Sequence, residues 1–311
     1  MSNPFSILSL NDKQSDLSGF SKELERNFSE FGFCGIKDHG IDNVLVEEVL
    51  QIFQSFFSFS DETKLQYHNP DIGGARGYTP FKIETPKGGS LADLKEFWHV
   101  GREIPRNHPY REWMHENYRV PELPSFEEKT TELFNQFDAL GKEILDSIGH
   151  FLKLEKDFFS SAVNEGNSIM RPIHYPPIAD GDLGERAGAH EDINLITLLV
   201  GGHQKGLEIL TKSNEWIDVN VESDVIVCNI GDMMQRLTNN YLVSTTHRVR
   251  ATESEYSSSR YSIPFFVHPN PDWLIETLTN CYNKNNPNLY PQNILAEEYL
   301  QQRLKEIKLI Q

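Results

Sequence analysis

The stretch Ala187-Gly-Ala-His190-Glu-Asp192-Ile-Asn-Leu-Ile-Thr-Leu-Leu sets an imidazole and a carboxylate two residues apart at the start of an apolar, strand-like run. Residues i and i+2 of a strand point to the same side, so both groups can reach one ion. A third ligand stands further along, His247 in Ser-Thr-Thr-His247-Arg-Val. Two imidazoles and one carboxylate on one side of an ion leave the opposite positions open, an arrangement suited to iron(II) in oxygen chemistry. Taken alone, His-x-Asp reads equally well as a loop histidine beside an acid. What raises it is Arg260-Tyr-Ser262, where a guanidinium fork and a hydroxyl again share a strand face and suit a ligand carboxylate. Without the other three residues, that motif is an ordinary exposed Arg-x-Ser.

These side chains need rigid elements to hold them. After Gly166 short apolar segments recur with Gly, Asn, Asp and Pro between them: Ser168–Tyr175, Asn194–Val200, Leu207–Leu210, Trp216–Val221, Asp224–Ile230, Ser244–Val249 and Tyr261–Val267. That rhythm predicts a β-sandwich or barrel. The earlier half is more helical. Phe20, Leu24, Phe28 and Phe31 predict a helix over residues ~19–31 that Gly32 ends in a left-handed conformation. Phe33–Ile36 reads as a short strand running into His39-Gly40, and Val46, Val49, Leu50, Phe53 and Phe57 mark a second helix. Ser125 with Glu128 forms a capping-box signature ahead of Leu133, Phe137, Leu140, Ile144 and Ile148, and Leu295, Tyr299, Leu300, Leu304 and Ile307 predict a C-terminal helix.

From Asn69 to about Pro105 the periodicity is lost, which predicts a long irregular excursion forming a lid or pocket wall. The alternative is a plain surface loop, although Phe97 and Trp98 suggest that its far end packs. Between Gly73 and Arg102 five cations (Arg76, Lys82, Lys87, Lys95, Arg102) stand against three anions (Glu84, Asp93, Glu96), a local excess of +2 in a chain of net charge -17. A reversal of sign of this kind steers anions towards a cleft. It motivates a small, anionic, amino-acid-like substrate met by Arg76, Tyr78, Lys82 and Trp98, against the simpler reading of solvated loop lysines.

The 311 residues, 38% hydrophobic, describe an ordinary globular protein with a sizeable core. With 46 acidic and 29 basic residues the average surface repels a phosphate backbone or an anionic membrane, so neither nucleic acid nor membrane is expected as a partner. Cys34, Cys228 and Cys281 are isolated, which argues against a disulfide framework and a structural zinc site and favours a reducing cytoplasm. No apolar run approaches membrane-spanning length, and the N-terminus lacks a signal-peptide pattern. Of the other histidines, His39 and His203 lie in turn-like sequences, His174 should face away from its neighbour Tyr175, and His99 and His268 read as structural, His99 with the reservation that the excursion can bring it to the site. Asp232 follows a glycine, where a turn role and a catalytic one are equally plausible.

Together His190-x-Asp192, His247, Arg260-x-Ser262, Arg171-Pro-Ile-His-Tyr175-Pro-Pro, Asn229-Ile-Gly-Asp232-Met-Met-Gln235, Glu30-Phe-Gly-Phe33 and Asp38-His-Gly40 resemble the iron(II)/2-oxoglutarate-dependent oxygenases of the isopenicillin N synthase-like branch. The resemblance runs over most of residues 1–270. It implies a mainly β fold with flanking helices around a double-stranded β-helix (jelly-roll) core. Residues 1–120 would form an N-terminal helical and mixed region, and residues 121–311 the core with its C-terminal helix, all one structural unit. It also implies iron(II) on His190, Asp192 and His247, with 2-oxoglutarate and dioxygen as cosubstrates. The 2-oxoglutarate would be gripped by Arg260, Ser262 and Tyr175 and released as succinate and carbon dioxide, while a small molecule is hydroxylated, desaturated or cyclised. One departure is Ile173, where family members often carry Asn. Two rivals stay open: an iron oxidase of the same branch that does not use 2-oxoglutarate, and a non-catalytic receptor on the same fold.

Overall fold

The structure, a computed structural model, describes residues 3–85, 91–179, 182, 184–201, 205–251 and 256–306. Its centre is two β-sheets whose inner faces share one apolar cluster, with Phe33, Phe97, Ile173, Tyr175 and Val227 contributed by the larger sheet and Ala187, Leu207, Ile209 and Val249 by the smaller. The larger sheet has nine strands. In spatial order these are Ile7–Ser9, Phe33–Lys37, Ile226–Ile230, Ile196–Val200, Arg260–Val267, Ile169–Met170, Glu96–Gly101 and Gly77–Thr79, with Ile173–Tyr175 also pairing to Arg260–Val267 and Glu96–Gly101. The smaller runs Trp216–Asp218, Leu207–Leu210, His247–Val249, Ala187–His190. All these pairings are antiparallel except that of Ile7–Ser9 with Phe33–Lys37. This is the mainly β, double-stranded β-helix architecture with flanking helices that the family resemblance implies, and its two facing sheets answer to the sandwich or barrel that the spacing of apolar segments predicts. The larger sheet draws strands from both sides of residue 120.

The period of two along each strand sorts side chains between two interiors. In Arg260–Val267, Arg260, Ser262, Pro264 and Phe266 line a cleft between the sheets, whereas Ile263, Phe265 and Val267 belong to the larger core on the other side. That outer face is closed by the helices Leu17–Glu30, Asn43–Phe57 and Phe126–Phe151, and Phe137 stacks on Phe265 with ring centroids 5.2 Å apart. Beyond the helix Leu17–Glu30 and its cap Phe31, Gly32 takes the left-handed φ of 71°, and a Cβ there would stand 2.2 Å from the Val243 carbonyl, so this position has to be glycine. Ser125 is the N-cap of the long helix but makes no side-chain capping bond. Only its carbonyl, accepting from the Lys129 N–H, begins the helix.

The stretch read as an irregular excursion departs most from expectation. It supplies the strands Gly77–Thr79 and Glu96–Gly101 to the larger sheet, and every residue of the second is buried. Lys95-Glu-Phe-Trp-His99 mixes charge and aromatics because both of its faces are interiors, a pattern that does not alternate between apolar and polar. Pro86–Gly89, including Lys87, together with His203 and Ile307, lies outside the described residues, and the C-terminal helix is described as Ala296–Glu306. Among the described residues no helix is long and apolar enough to cross a membrane.

Candidate active site

His190 closes the strand Ala187–His190, and the antiparallel register sets it directly opposite His247 on the neighbouring strand. Cross-strand partners share a face, so the two imidazoles meet with ring centroids 4.3 Å apart. Asp192 lies just beyond the strand end, where its carbonyl accepts from the Asp232 N–H at 2.7 Å. One donor atom from each of the three side chains lies within 4.8 Å of the others, and Asp192 Oδ1 is 3.9 Å from both His190 Nε2 and His247 Nε2.

The histidine tautomers follow from their partners. His190 Nδ1 is 2.7 Å from the Gly188 carbonyl and His247 Nδ1 is 3.1 Å from the Thr245 carbonyl, so each Nδ1 carries the hydrogen and each Nε2 presents a lone pair. Asp192 Oδ2 accepts from Thr197 Oγ1 at 2.6 Å and Asn229 Nδ2 at 2.8 Å, which leaves Oδ1 for the shared centre. Burial opposes ionisation of Asp192, but the two imidazoles and these two hydrogen bonds outweigh it and hold its carboxyl below the usual range. Although solvent reaches 36% of the His190 side chain within the cleft, the protein around it, and then His247, lower its pKa and keep it neutral. A donor set of two imidazoles and one carboxylate, each fixed by a further partner, fits a divalent iron with open coordination positions.

The same cleft, about 590 Å³ including its open mouth, is lined by Arg260, Ser262 and Tyr175. Arg260 pairs with Tyr175 and Ser262 with Ile173 across the two strands, and the buried guanidinium lies 5.0 Å above the Tyr175 ring. A buried fork and a serine hydroxyl thus share one face as their spacing predicts, and the phenol that the family resemblance adds stands beside them. His174 faces the other way and is stacked between Phe57 and Tyr261.

The four residues expected to meet a substrate are placed elsewhere. Trp98 points from its strand into the outer core, against Phe53, Phe56, Tyr67 and Phe126, and Tyr78 sits opposite it in register and faces the same way. The Tyr78 hydroxyl donates to Glu96. Arg76 is 1% exposed with its guanidinium against Gly101, and Lys82 pairs with Asp182 at 2.5 Å. Two other cations of the local excess are engaged inside the protein: Lys95 bonds Glu84 at 2.8 Å and Asp93 at 2.7 Å, and Arg102 pairs with Asp138. Burial and then Arg111 lower the Arg76 pKa to about 10 despite the opposing pull of Glu103.

Residues that the sequence reading counts only as charges of the excursion stand at the cleft instead. Lys95 lines it, and Asp93 accepts from the Gly188 N–H at 2.8 Å, tying this ion network to the strand that carries His190. Burial raises the pKa of Glu84, but Lys95 and then Arg171 pull it down to about 2. The signal was the period of two in Asp93-x-Lys95-x-Phe97-x-His99, which turns these four away from Trp98 and towards the inner face.

Two inner histidines set an acid limit. Burial lowers the His268 pKa to about 4 and holds His99 well below its ordinary value, whereas in the unfolded chain both titrate near about 6.5. As pH falls through about 6.5 the unfolded state takes up protons that the fold refuses, so stability is lost from there downwards until each native group itself protonates. For His268 alone the loss by pH 4 is on the order of 3 kcal/mol. Thermal melts between pH 7 and 4.5 should show Tm falling with pH, and His268→Asn should flatten the slope. An unchanged slope would rule the account out.

Comparison with known proteins agrees with this geometry. Residues 166–269 match the 2OG-Fe(II) oxygenase superfamily, and residues 4–123 match the family described as non-haem dioxygenase in morphine synthesis N-terminal. A 2-oxoglutarate-Fe(II) type oxidoreductase of Emericella nidulans is 31% identical over 274 residues, covering 84% of this chain and 77% of that protein. A 2OG-Fe(II) oxygenase family protein from Caulobacter crescentus superposes with a TM-score of 0.91 at 43% identity, covering 98% of this chain and 100% of that one. A Neurospora crassa protein crystallised with alpha-KG and thymine has a TM-score of 0.83 at 26% identity, with 97% and 96% covered. The chain belongs to the 2OG-Fe(II) oxygenase family. It is a 2-oxoglutarate-dependent dioxygenase that uses iron(II) as its metal.

Proposed function

We propose that His190, Asp192 and His247 hold the iron(II), that Arg260, Ser262 and Tyr175 hold 2-oxoglutarate, and that the chain oxidises a small metabolite in the cleft beside them. The observation that carries this reading is the convergence of two Nε2 lone pairs and one carboxylate oxygen beside a buried guanidinium and hydroxyl. When bound, iron with 2-oxoglutarate and dioxygen supplies an oxidant strong enough to take a hydrogen from carbon, with succinate and carbon dioxide as coproducts. The chain's own share is positional. Asn229 and Thr197 fix the Asp192 carboxylate, the Gly188 and Thr245 carbonyls orient the imidazoles, and Ile173, Leu199, Leu207 and Val249 line the cleft with apolar surface. Hydroxylation, desaturation and ring closure all begin from that hydrogen abstraction.

Of the cations that suggest an anionic, amino-acid-like substrate, Lys95 and Arg102 are paired within the fold and Arg76 is buried away from the cleft, so the cleft itself gives that choice no support. A cytoplasmic setting remains part of the reading: Cys34 and Cys228 face each other across neighbouring strands as free thiols whose pKa values burial raises. The test is succinate release from 2-oxoglutarate by the iron-loaded protein against a panel of small metabolites. Substrate-dependent succinate formation is expected. Oxygen uptake with no 2-oxoglutarate consumed would point to the oxidase reading.

A further inference from the structure

Arg171 occupies the two-residue break between the strands Ile169–Met170 and Ile173–Tyr175, which both pair with Arg260–Val267, and its backbone N–H donates to the Pro264 carbonyl at 2.8 Å. Its guanidinium lies 4.4 Å from the Phe97 ring centroid and 5.0 Å from that of Phe266, and the side chain lines the cleft with 20% of its surface exposed. Nε donates to His99 Nε2 at 2.5 Å, and the Gly74 carbonyl, 2.6 Å from His99 Nδ1, fixes the hydrogen on that nitrogen. Nη1 faces Glu84 at 3.6 Å. Among the described residues Nε is thus the only guanidinium nitrogen of Arg171 that makes a hydrogen bond, and Nη1 and Nη2 keep theirs to give.

We propose that Arg171, clamped between Phe97 and Phe266 and braced by His99, binds the primary substrate by donating from Nη2 to an uncharged carbonyl oxygen. The proposal rests on the cleft being the oxygenase site described above. Two observations favour a neutral acceptor over a carboxylate. First, Nε is held by His99, which removes the side-on grip, and Nη1 faces the Glu84 carboxylate at 3.6 Å, so a ligand carboxylate gripped end-on by Nη1 and Nη2 would stand beside a like charge. Second, the inner cluster is balanced: Lys95 and Arg171 carry two positive charges against Glu84 and Asp93, and burial keeps His99 neutral. A carboxylate entering it would be a third negative charge without a cation of its own, which is costly where solvent is limited. A carbonyl receives a charge-assisted hydrogen bond and leaves the balance untouched. The apolar surfaces of Ile173, Leu199, Leu207, Val249 and Phe266 then suit a hydrocarbon or aromatic body on that carbonyl.

The test is calorimetric, on anaerobic protein loaded with iron(II) and 2-oxoglutarate, and uses size-matched probes: benzamide against benzoate, and cyclohexanecarboxamide against cyclohexanecarboxylate. Each amide is expected to bind at least about tenfold tighter than its carboxylate. Arg171→Leu should weaken the amides by about tenfold or more while 2-oxoglutarate affinity stays within about twofold, which also shows that the variant is folded. Arg171→Lys, a milder change, should lose as much, because an ammonium is not held by His99 in the same plane. His99→Leu should reproduce part of the loss, and His99→Gln, which keeps an acceptor for Nε, should restore binding, as expected of a positioning residue. Carboxylates binding as well as amides, or no amide binding, or amide binding indifferent to Arg171→Leu and Arg171→Lys, would overturn the proposal. Failure of the wild-type protein to bind 2-oxoglutarate would instead defeat the functional reading beneath it.

Discussion

Asp192→Ala should lower iron(II) affinity by two orders of magnitude or more and leave no measurable turnover. Its Oδ1 is the shared neighbour of both imidazole Nε2 atoms at 3.9 Å, and its charge is the one negative contribution to the donor set. Two histidines remain, too few to fix a divalent ion against water. The alanine variant also strands Thr197 Oγ1 and Asn229 Nδ2, which lose a buried acceptor at a cost of about 1–3 kcal/mol. Asp192→Asn separates the two effects. Its amide oxygen still accepts from Thr197 and Asn229 while the charge is gone, so Tm should stay near wild type as iron binding collapses. Equilibrium titration with iron(II) under anaerobic conditions, beside thermal melts of the apo proteins, reads both quantities. His190→Ala and His247→Ala should lose iron comparably, and wild-type affinity in all of these variants would sink the assignment.

The ligands were legible because chemistry at a metal needs particular residue types, and those types stand out against any background. The spacing of His190 and Asp192 reads as one strand face, yet only His190 belongs to the strand, and Asp192 is held beyond its end by Thr197, Asn229 and the Asp232 N–H. What joins His247 to them is a cross-strand register, which depends on how distant segments pair and so cannot be read from either segment alone. The strands after Gly166 were legible for a similar reason, since each is short, apolar and bounded by turn residues. The segment Glu96–Gly101 was not. With an outer core on one side and an ion network on the other, its sequence shows neither clean alternation nor a continuous apolar run, and its lysine and acids resemble those of a solvated loop. The charge count over the same stretch meets the same obstacle, because a sum along the chain takes no account of which charges, such as Lys95 with Glu84 and Asp93, meet inside.

Arg260→Lys should weaken 2-oxoglutarate by roughly 10- to 100-fold and leave iron(II) affinity within about twofold. Arg260 begins the strand Arg260–Val267 and is 3% exposed, its guanidinium over the Tyr175 ring and its Nη2 3.5 Å from the Gly201 carbonyl. These contacts set the plane of the fork, and Ser262, two residues along on the same face, adds a hydroxyl to it. Lysine keeps the positive charge but offers a point donor on a flexible stem, so the charge attraction to a distal carboxylate survives while the paired hydrogen bonds and the fixed plane do not. Because the side chain that changes is not one of the three groups converging on the metal centre, iron should scarcely respond. Calorimetric titration of 2-oxoglutarate into anaerobic, iron-loaded protein measures the first affinity, and iron titration without cosubstrate measures the second. Equal losses in both would mean that the substitution disturbs the whole cleft, and an unchanged 2-oxoglutarate affinity would remove Arg260 from the cosubstrate site.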